Sequence, residues 1–244
     1  MMVAMAPRAA PKDPPKGAPE KAETPRAKRR REKLAEIHET ALRLVGEGGL
    51  PALTVVRLAR ELGLALGGLY RYYPSLSALV VALQRGALAD LAKQFEAAGR
   101  AVDEPLTRVV SMLNVFVRMP ETSPAPYRLI DELISAPEVV LADADALGLE
   151  ADVGRVLSFV HGGLEACAAS GVLSPGDAEL RTVQLWTVLH GVSHMRKRDR
   201  LVPPKLRVAA LRRATLRDLF ASWGATDAHI AHALDVMGPA PTRT

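Results

Sequence analysis

The sequence predicts an all-α fold, with an N-terminal helix-turn-helix head followed by a larger helical body. Three observations predict it. Apolar residues recur at three- and four-residue steps through most of the chain, and no stretch shows sustained strand-like alternation. Aromatic residues make up 4% of the 244, so leucine, alanine and valine must fill the interior, and the first two are strong helix formers. Near the N-terminus, two short helical stretches flank a glycine turn, which is the helix-turn-helix arrangement.

The elements follow in order. Residues 1–25 hold six prolines and no large apolar cluster. They cannot bury enough surface to offset their ordering entropy and are expected to be disordered. From Arg26 the pattern turns helical. Leu34, Ile37, Ala41, Leu44 and Val45 form one face of a helix that ends near Gly46–Gly49. Thr54 is a helix N-cap, and Leu58, Ala59 and Leu62 form the short apolar face behind it. Gly63 makes the turn, a second short helix covers Ala65 to Tyr72, and Pro74 breaks it. Ser75 caps a long helix running from Leu76 toward Arg100. Beyond Pro105 the periodicity predicts helices at 105–119, 127–135, 138–147, 151–170, 177–197, 204–222 and 227–237. The breaks fall at Pro120–Pro126, Gly171–Pro175 and Pro203–Pro204. The chain divides into a basic, proline-rich tail (1–27), a head (28–75), a body (76–238) and a short C-terminal tail (239–244).

The net charge of +5 is unevenly spread. Residues 1–33 hold ten Lys/Arg against four acids, so the remainder of the chain carries −1. Within that remainder, 101–152 is acidic (−7) and 196–217 is basic (+8). A basic N-terminus points to a polyanion partner. The single cysteine, Cys167, excludes a disulfide framework and a multi-thiolate zinc site. Its apolar setting marks a structural thiol. No apolar run reaches about eighteen residues and the start lacks a secretory h-region, so no membrane partner is expected and the cytoplasm is the default location. No nucleophile elbow, Walker loop, dinucleotide fingerprint or zinc-protease helix is present, so neither enzyme activity nor a cofactor is expected. His190 and His194 stand one helical turn apart, and His229 and His232 are three apart. No acidic residue or cysteine completes the first pair nearby, and no metal is expected at either.

In a helix-turn-helix the second helix enters the major groove, and its outer face must offer groups for base edges while its flanks meet phosphates. Leu69 and Tyr73, four apart, face inward, and Tyr70 and Arg71 face DNA. Arg57 and Arg60 on the preceding helix bring charge toward the backbone. Lys28-Arg29-Arg30-Arg31, just before the first helix, suits phosphates or the minor groove. The expected DNA-contacting set is Arg29, Arg30, Arg31, Thr54, Arg57, Ala65, Leu66, Gly67, Gly68, Tyr70, Arg71 and Tyr72.

The string Thr54-Val-Val-Arg-Leu-Ala-Arg-Glu-Leu-Gly63, followed by Leu64 through Leu79, resembles the TetR family of transcriptional regulators. The Gly63 turn, the Leu69-Tyr70-x-Tyr72-Tyr73 core and Pro74-Ser75-x-x-Ala78-Leu79 carry the resemblance over about 30–80. Further on, Leu185-Trp186-x-x-x-His190-Gly191 is similar to the family's dimer-forming helix. The resemblance implies a homodimer with a DNA-binding head and an effector-binding and dimerisation body. It implies a repressor on double-stranded DNA, released from a palindromic operator by a small molecule. Helices 151–170 and 177–197 carry small residues that suit a four-helix dimer interface, expected at Gly162, Gly163, Leu185 and Gly191. The expected effector site is Met112, Phe116, Leu133, Phe159, Trp186 and His190, suited to a mostly apolar small molecule.

The chain departs from the family pattern at several DNA-facing positions. Ala65 and Leu66 stand where polar residues are usual, Gly68 where a phosphate-touching Thr is common, and Leu76 where Lys is frequent. These departures leave a second reading open: a helical dimer that binds a ligand or partner and has lost sequence-specific DNA binding.

Overall fold

The computed structural model describes residues 24–135 and 148–238. The predicted helix at 138–147, most of the predicted N-terminal tail (1–23) and all of the predicted C-terminal tail (239–244) lie outside the described residues. Among the described residues there is no strand.

Helix α1 spans Pro25–Gly48, earlier than the sequence reading had it. Thr24 is the N-cap, its hydroxyl accepting from the Ala27 amide, and Pro25 occupies the first helical position, where its missing N–H costs nothing. The helix therefore begins inside the segment expected to be disordered and carries Arg29, Arg30 and Arg31 in its first two turns. Gly49, at φ 74°, ends it. Helices α2 (Val55–Glu61) and α3 (Leu66–Tyr70) follow. Thr54 caps α2 through the Arg57 amide, as predicted, and Gly63 turns the chain at φ 62°. Ile37, Ala41, Leu44, Leu58 and Leu69 close the core of this three-helix head.

The body begins with α4 (Leu76–Arg100), capped by Ser75 through the Ala78 amide. α5 (Pro105–Thr122) and α7 (Glu150–Ala169) pack along it. The predicted break at Pro120 does not occur. Proline in the last turn removes one backbone bond, but Thr122 Oγ1 donates to the Arg118 carbonyl and the Ser123 amide closes on Met119. α6 (Pro124–Ser135) then starts at once, with proline again at its first position. α8 (Ala178–His194) is followed by 3-10 turns at Met195–Leu201 and Pro204–Leu206. α9 (Val208–Ser222) starts four residues later than predicted, because Asp199 Oδ1 accepts the Val208 amide and fixes the helix start there. α10 (Asp227–Asp235) completes the body.

Polar ties hold α6 to the head and to α4. Arg128 Nη1 donates to the Val45 and Gly46 carbonyls at 2.8 and 2.7 Å, capping the end of α1. Gln84 on α4, fully buried, donates to the Leu129 carbonyl at 3.2 Å. The acidic 101–152 and basic 196–217 segments also meet: Arg196 Nη2 lies 2.6 Å from Glu121 Oε1.

Candidate nucleic-acid interface

The outer face of α3 is Ala65, Leu66, Gly67, Tyr70 and the following Arg71, all exposed. Leu66 is 50% and Tyr70 51% exposed. A methyl group on Gly67 would meet nothing within 4 Å, so this glycine leaves the face flat. Gly68 sits beside Leu64 and is half-buried. Leu69 is buried and Tyr73 half-buried, as their four-residue spacing predicts. Tyr73 shares a hydrogen bond with His38 Nε2, which ties the α3–α4 turn to α1. Burial raises the Tyr73 pKa, so the phenol keeps its proton, and burial lowers that of His38, so the imidazole stays neutral.

The basic start of α1 stands next to this face. The Arg30 guanidinium lies over the Tyr72 ring, 5.5 Å from its centroid. Tyr72 is therefore a half-buried platform for Arg30. Arg29, Arg30 and Arg31 are all exposed.

Arg57 is placed differently from the expectation. Its Nη2 lies 2.7 Å from Glu47 and its Nε 3.4 Å from Glu61, and Arg43 bonds the same two carboxylates. Two arginines and two glutamates alternate in a closed network that clamps α1 onto α2. The hydrogen bond from Arg43 holds the Glu47 carboxyl below its ordinary range. Arg57 is thus engaged within the head, where a phosphate would have to compete with two carboxylates for it. Thr54, exposed, has its hydroxyl committed to the α2 cap.

In the body, the apolar residues expected to line a pocket are mostly close-packed. The Phe116 and Trp186 rings stand 4.7 Å apart and Phe116 and Tyr127 5.9 Å apart, and the space beside Phe116 and Trp186 is only about 10 Å³. Leu133 is half-buried and packs on the same core. Met112 and Phe159 line a larger groove of about 390 Å³ with Phe95, Gly99, Gly162 and Gly163. A cavity of about 490 Å³, lined by Asn114, Arg118, Glu121, Arg196 and Arg212 among others, opens between α5 and α9 and is strongly polar. Sequence reasoning missed it because its charges come from segments about eighty residues apart.

The His190 ring stacks on Trp186 at 6.3 Å and lies 4.5 Å from the His194 ring. Burial lowers the His190 pKa against the opposing pull of Asp131. Asp131, on α6, faces both histidines: its Oδ1 is 3.3 Å from His194 Nε2 and 3.7 Å from His190 Nε2. The expectation that no acidic residue completes this pair is thus corrected; the carboxylate comes from sixty residues upstream. Tyr127 hydrogen-bonds Asp131, and burial together with that carboxylate pushes its pKa up to about 12. Cys167 is fully buried, and burial pushes its pKa up to about 12, which leaves an inert thiol.

Residues 37–83, from the middle of α1 into α4, match the family model described as bacterial regulatory proteins, tetR family. Over that head, the chain resembles the TetR family. No curated protein matches it. The whole fold is similar to solved structures of low identity. A TetR-family transcriptional regulator from Agrobacterium tumefaciens superposes at a TM-score of 0.64, with 18% identity over 80% of this chain and 100% of that one. AibR, solved with isovaleryl coenzyme A and operator DNA, gives 0.60 and 15% identity over 77% and 98% of the two chains. RolR, solved with resorcinol, gives 0.59 and 16% over 88% and 98%.

The body exposes small and apolar residues on two helices that pack on each other, α7 and α8. On α7, Ala151, Gly154, Ser158 and Gly162 face outward, and on α8, Leu180, Val183 and Gly191 do. Leu180 and Val183 are 54% and 49% exposed, and methyl groups on Gly154, Gly162 and Gly191 would meet nothing within 4 Å. Two of the expected interface residues lie elsewhere. Leu185 is 0% exposed, inside its own chain, because it points opposite to Val183 and Gly191 on α8. Gly163 is buried against α5, where a Cβ would stand 2.7 Å from Val109 Cγ2.

Proposed function

We propose that this protein is a TetR-type transcriptional regulator, most simply a repressor. As a homodimer it binds a palindromic site in double-stranded DNA and is released by a small-molecule effector. The observation that carries this reading is the exposed Tyr70–Arg71 face of α3 with the arginine-rich start of α1 packed beside it through Arg30 and Tyr72. Tyr70 supplies a hydroxyl for phosphate and a ring edge for a thymine methyl, Arg71 supplies a donor pair, and Leu66 and Gly67 allow close apolar approach to bases. Arg29 and Arg31 extend the contact along the backbone. The outward face of α7 and α8, from Gly154 to Gly162 and from Leu180 to Gly191, is the proposed dimer surface. The effector site is proposed in the groove of about 390 Å³ lined by Met112 and Phe159, which abuts that surface at Gly162.

The mechanism is a difference in affinity between two states. α6 is the lever, because Arg128 holds the end of α1 while the same helix packs on α4 and α5. An effector that moves α4 or α5 shifts α6, and the Arg128 tie carries that shift to the head.

A random-sequence duplex library retained by the full-length protein at physiological salt, then sequenced, tests the reading. The expected result is a palindrome whose half-sites lie about 34–36 Å apart, or a multiple of that, lost in Tyr70→Ala and Arg71→Ala. Retention without sequence preference, or none, would favour the alternative that the exposed, uncharged face at Ala65, Leu66 and Gly67 no longer reads bases and the helical dimer serves a ligand or protein partner.

A further inference from the structure

We propose that Asp131, His190 and His194 form a binding site for one divalent transition-metal ion of the zinc class, joining α6 to α8. His190 and His194 are one turn apart on α8, so both imidazoles leave the same face. The three ligand atoms lie within 4.8 Å of one another. Donor atoms bound at about 2.0–2.1 Å to a tetrahedral zinc ion stand about 3.3 Å apart. The separations of 3.3 and 3.7 Å from Asp131 Oδ1 to the two Nε2 atoms are already close to that. Small rotamer adjustments bring the set onto one ion, with the fourth position left to water or another ligand.

The hydrogen bonds around the cluster are compatible with the form that binds a metal. His194 Nδ1 lies 3.0 Å from the His190 carbonyl. A carbonyl only accepts, so Nδ1 carries the proton and donates it there. In the neutral imidazole, Nε2 then bears its lone pair toward Asp131. Asp131 Oδ1 is shut off from solvent and accepts no hydrogen bond among the described residues. A nitrogen lone pair and a carboxylate oxygen facing each other at this distance repel unless a cation stands between them. A proton can serve for one histidine, and a divalent ion serves for both at once. Tyr127, hydrogen-bonded to Asp131, orients the carboxylate from behind, as outer partners of metal-binding carboxylates do. Imidazole and carboxylate donors together suit zinc, and also cobalt and nickel, over calcium or magnesium.

The position gives the ion a consequence. Asp131 stands one turn beyond Arg128, which holds the carbonyl end of α1. His190 and His194 lie at the end of the helix that carries the proposed dimer surface. The ion would therefore brace α6, the link to the head, against α8. Its readout is ion binding and not DNA binding, so failure of either proposal leaves the other standing.

The test is titration of chelator-treated, full-length protein with zinc by calorimetry, and with cobalt followed by visible absorption. The expected result is one ion per chain and a cobalt spectrum of low coordination number. Affinity should fall at least ten-fold in Asp131→Asn and in His194→Gln, and more modestly in Tyr127→Phe. His194 is exposed enough for its substitution to leave the fold intact, which circular dichroism checks. His229→Gln and His232→Gln, far along the chain on α10, should change nothing. Absence of stoichiometric zinc and cobalt binding would overturn the proposal, as would binding that survives His194→Gln.

Discussion

The head and the body use their charged side chains in opposite ways. In the head, the charges where α1 meets α2 hold geometry. Arg43, Arg57, Glu47 and Glu61 hold one another across α1 and α2, and the outer face of α3 is left with Leu66, Gly67 and Tyr70 and a single arginine. In the body, charge is gathered where a ligand can meet it. Arg118, Arg196 and Arg212 surround one cavity, and Asp131, His190 and His194 converge at the junction of α6 and α8. The difference teaches that a basic residue on a DNA-binding domain is not by that fact a DNA contact. Whether its charge is already matched within the domain bears on how free it is for a phosphate.

The sharpest way to break the comparison is to unfold one region and watch the other. Leu58 is fully buried in the small core of the head. Leu58→Ala should cost about 2–5 kcal/mol. Both tryptophans, Trp186 and Trp223, lie in the body. Helicity by circular dichroism should therefore be lost in urea before tryptophan fluorescence changes. If both probes still shifted together, head and body would be one cooperative unit, tied by Arg128 more firmly than the packing suggests.

A pair of adjacent glycines sharpens the comparison inside the body. Gly163→Ala drives a methyl group to within 2.7 Å of Val109 Cγ2 and 3.2 Å of Met112 Cε. It should lower stability by about 1–3 kcal/mol, read as a fall in the urea midpoint. Gly162→Ala meets open space in its own chain, so its effect should appear in light scattering instead, as a dimer that dissociates at higher protein concentration. Equal behaviour of the two variants would mean that α7 does not present Gly162 to a partner.

The two arginines of the head are predicted to separate cleanly. Arg57→Ala opens a partly exposed ion-pair network and should cost on the order of 1 kcal/mol or less of stability, with little change in the salt dependence of DNA binding. Arg71→Ala should leave stability alone and reduce that salt slope by about 1. Were Arg57→Ala to flatten the slope instead, its bonds to Glu47 and Glu61 would be exchanged for phosphate on binding.

The head was legible in the sequence because its signals are local. Thr54 and Ser75 cap the helices they precede, Gly63 has the turn to itself, and Leu69 and Tyr73 share a face by spacing alone. Thr24-Pro25 was equally local and was passed over in the proline-rich surroundings. The body was less legible because its features are assembled from distant segments. Asp131 reaches His190 and His194 across sixty residues, and Arg118 meets Arg196 and Arg212 across some eighty to ninety. Periodicity ranks a position as inward without saying whether it meets its own chain or a copy, so Leu185 and Gly163 read as interface when they are core. The small residues that truly face outward, Gly162 and Gly191, differ from them only by a rotation of the helix.

The smallest expected effect concerns the hinge between α1 and the α3–α4 turn. His38 and Tyr73 share a hydrogen bond, and burial lowers the His38 pKa below its unfolded value of about 6.5. The Tyr73 phenol keeps its proton, since burial raises its pKa against the pull of Arg30. Neutral His38 therefore accepts and Tyr73 donates. The unfolded chain takes up a proton on this histidine before the folded chain does, so stability is full above about pH 6.5 and declines as the pH falls through the lower folded value. Urea midpoints measured between about pH 7.5 and pH 5.5 should decline more in the wild type than in His38→Gln, which keeps a hydrogen-bonding group and loses the titration. Parallel declines in the two proteins would place that acid sensitivity elsewhere; the Glu104 carboxyl at the start of α5 is a separate group, whose stabilisation is present above its ordinary pKa of 4.5 and is lost only at lower pH. Burial raises its pKa, but bonds from Thr107 and Leu106 outweigh that and hold it below the ordinary range. An acid loss seated at Glu104 would begin in the body, and the head would then be the more acid-resistant of the two regions.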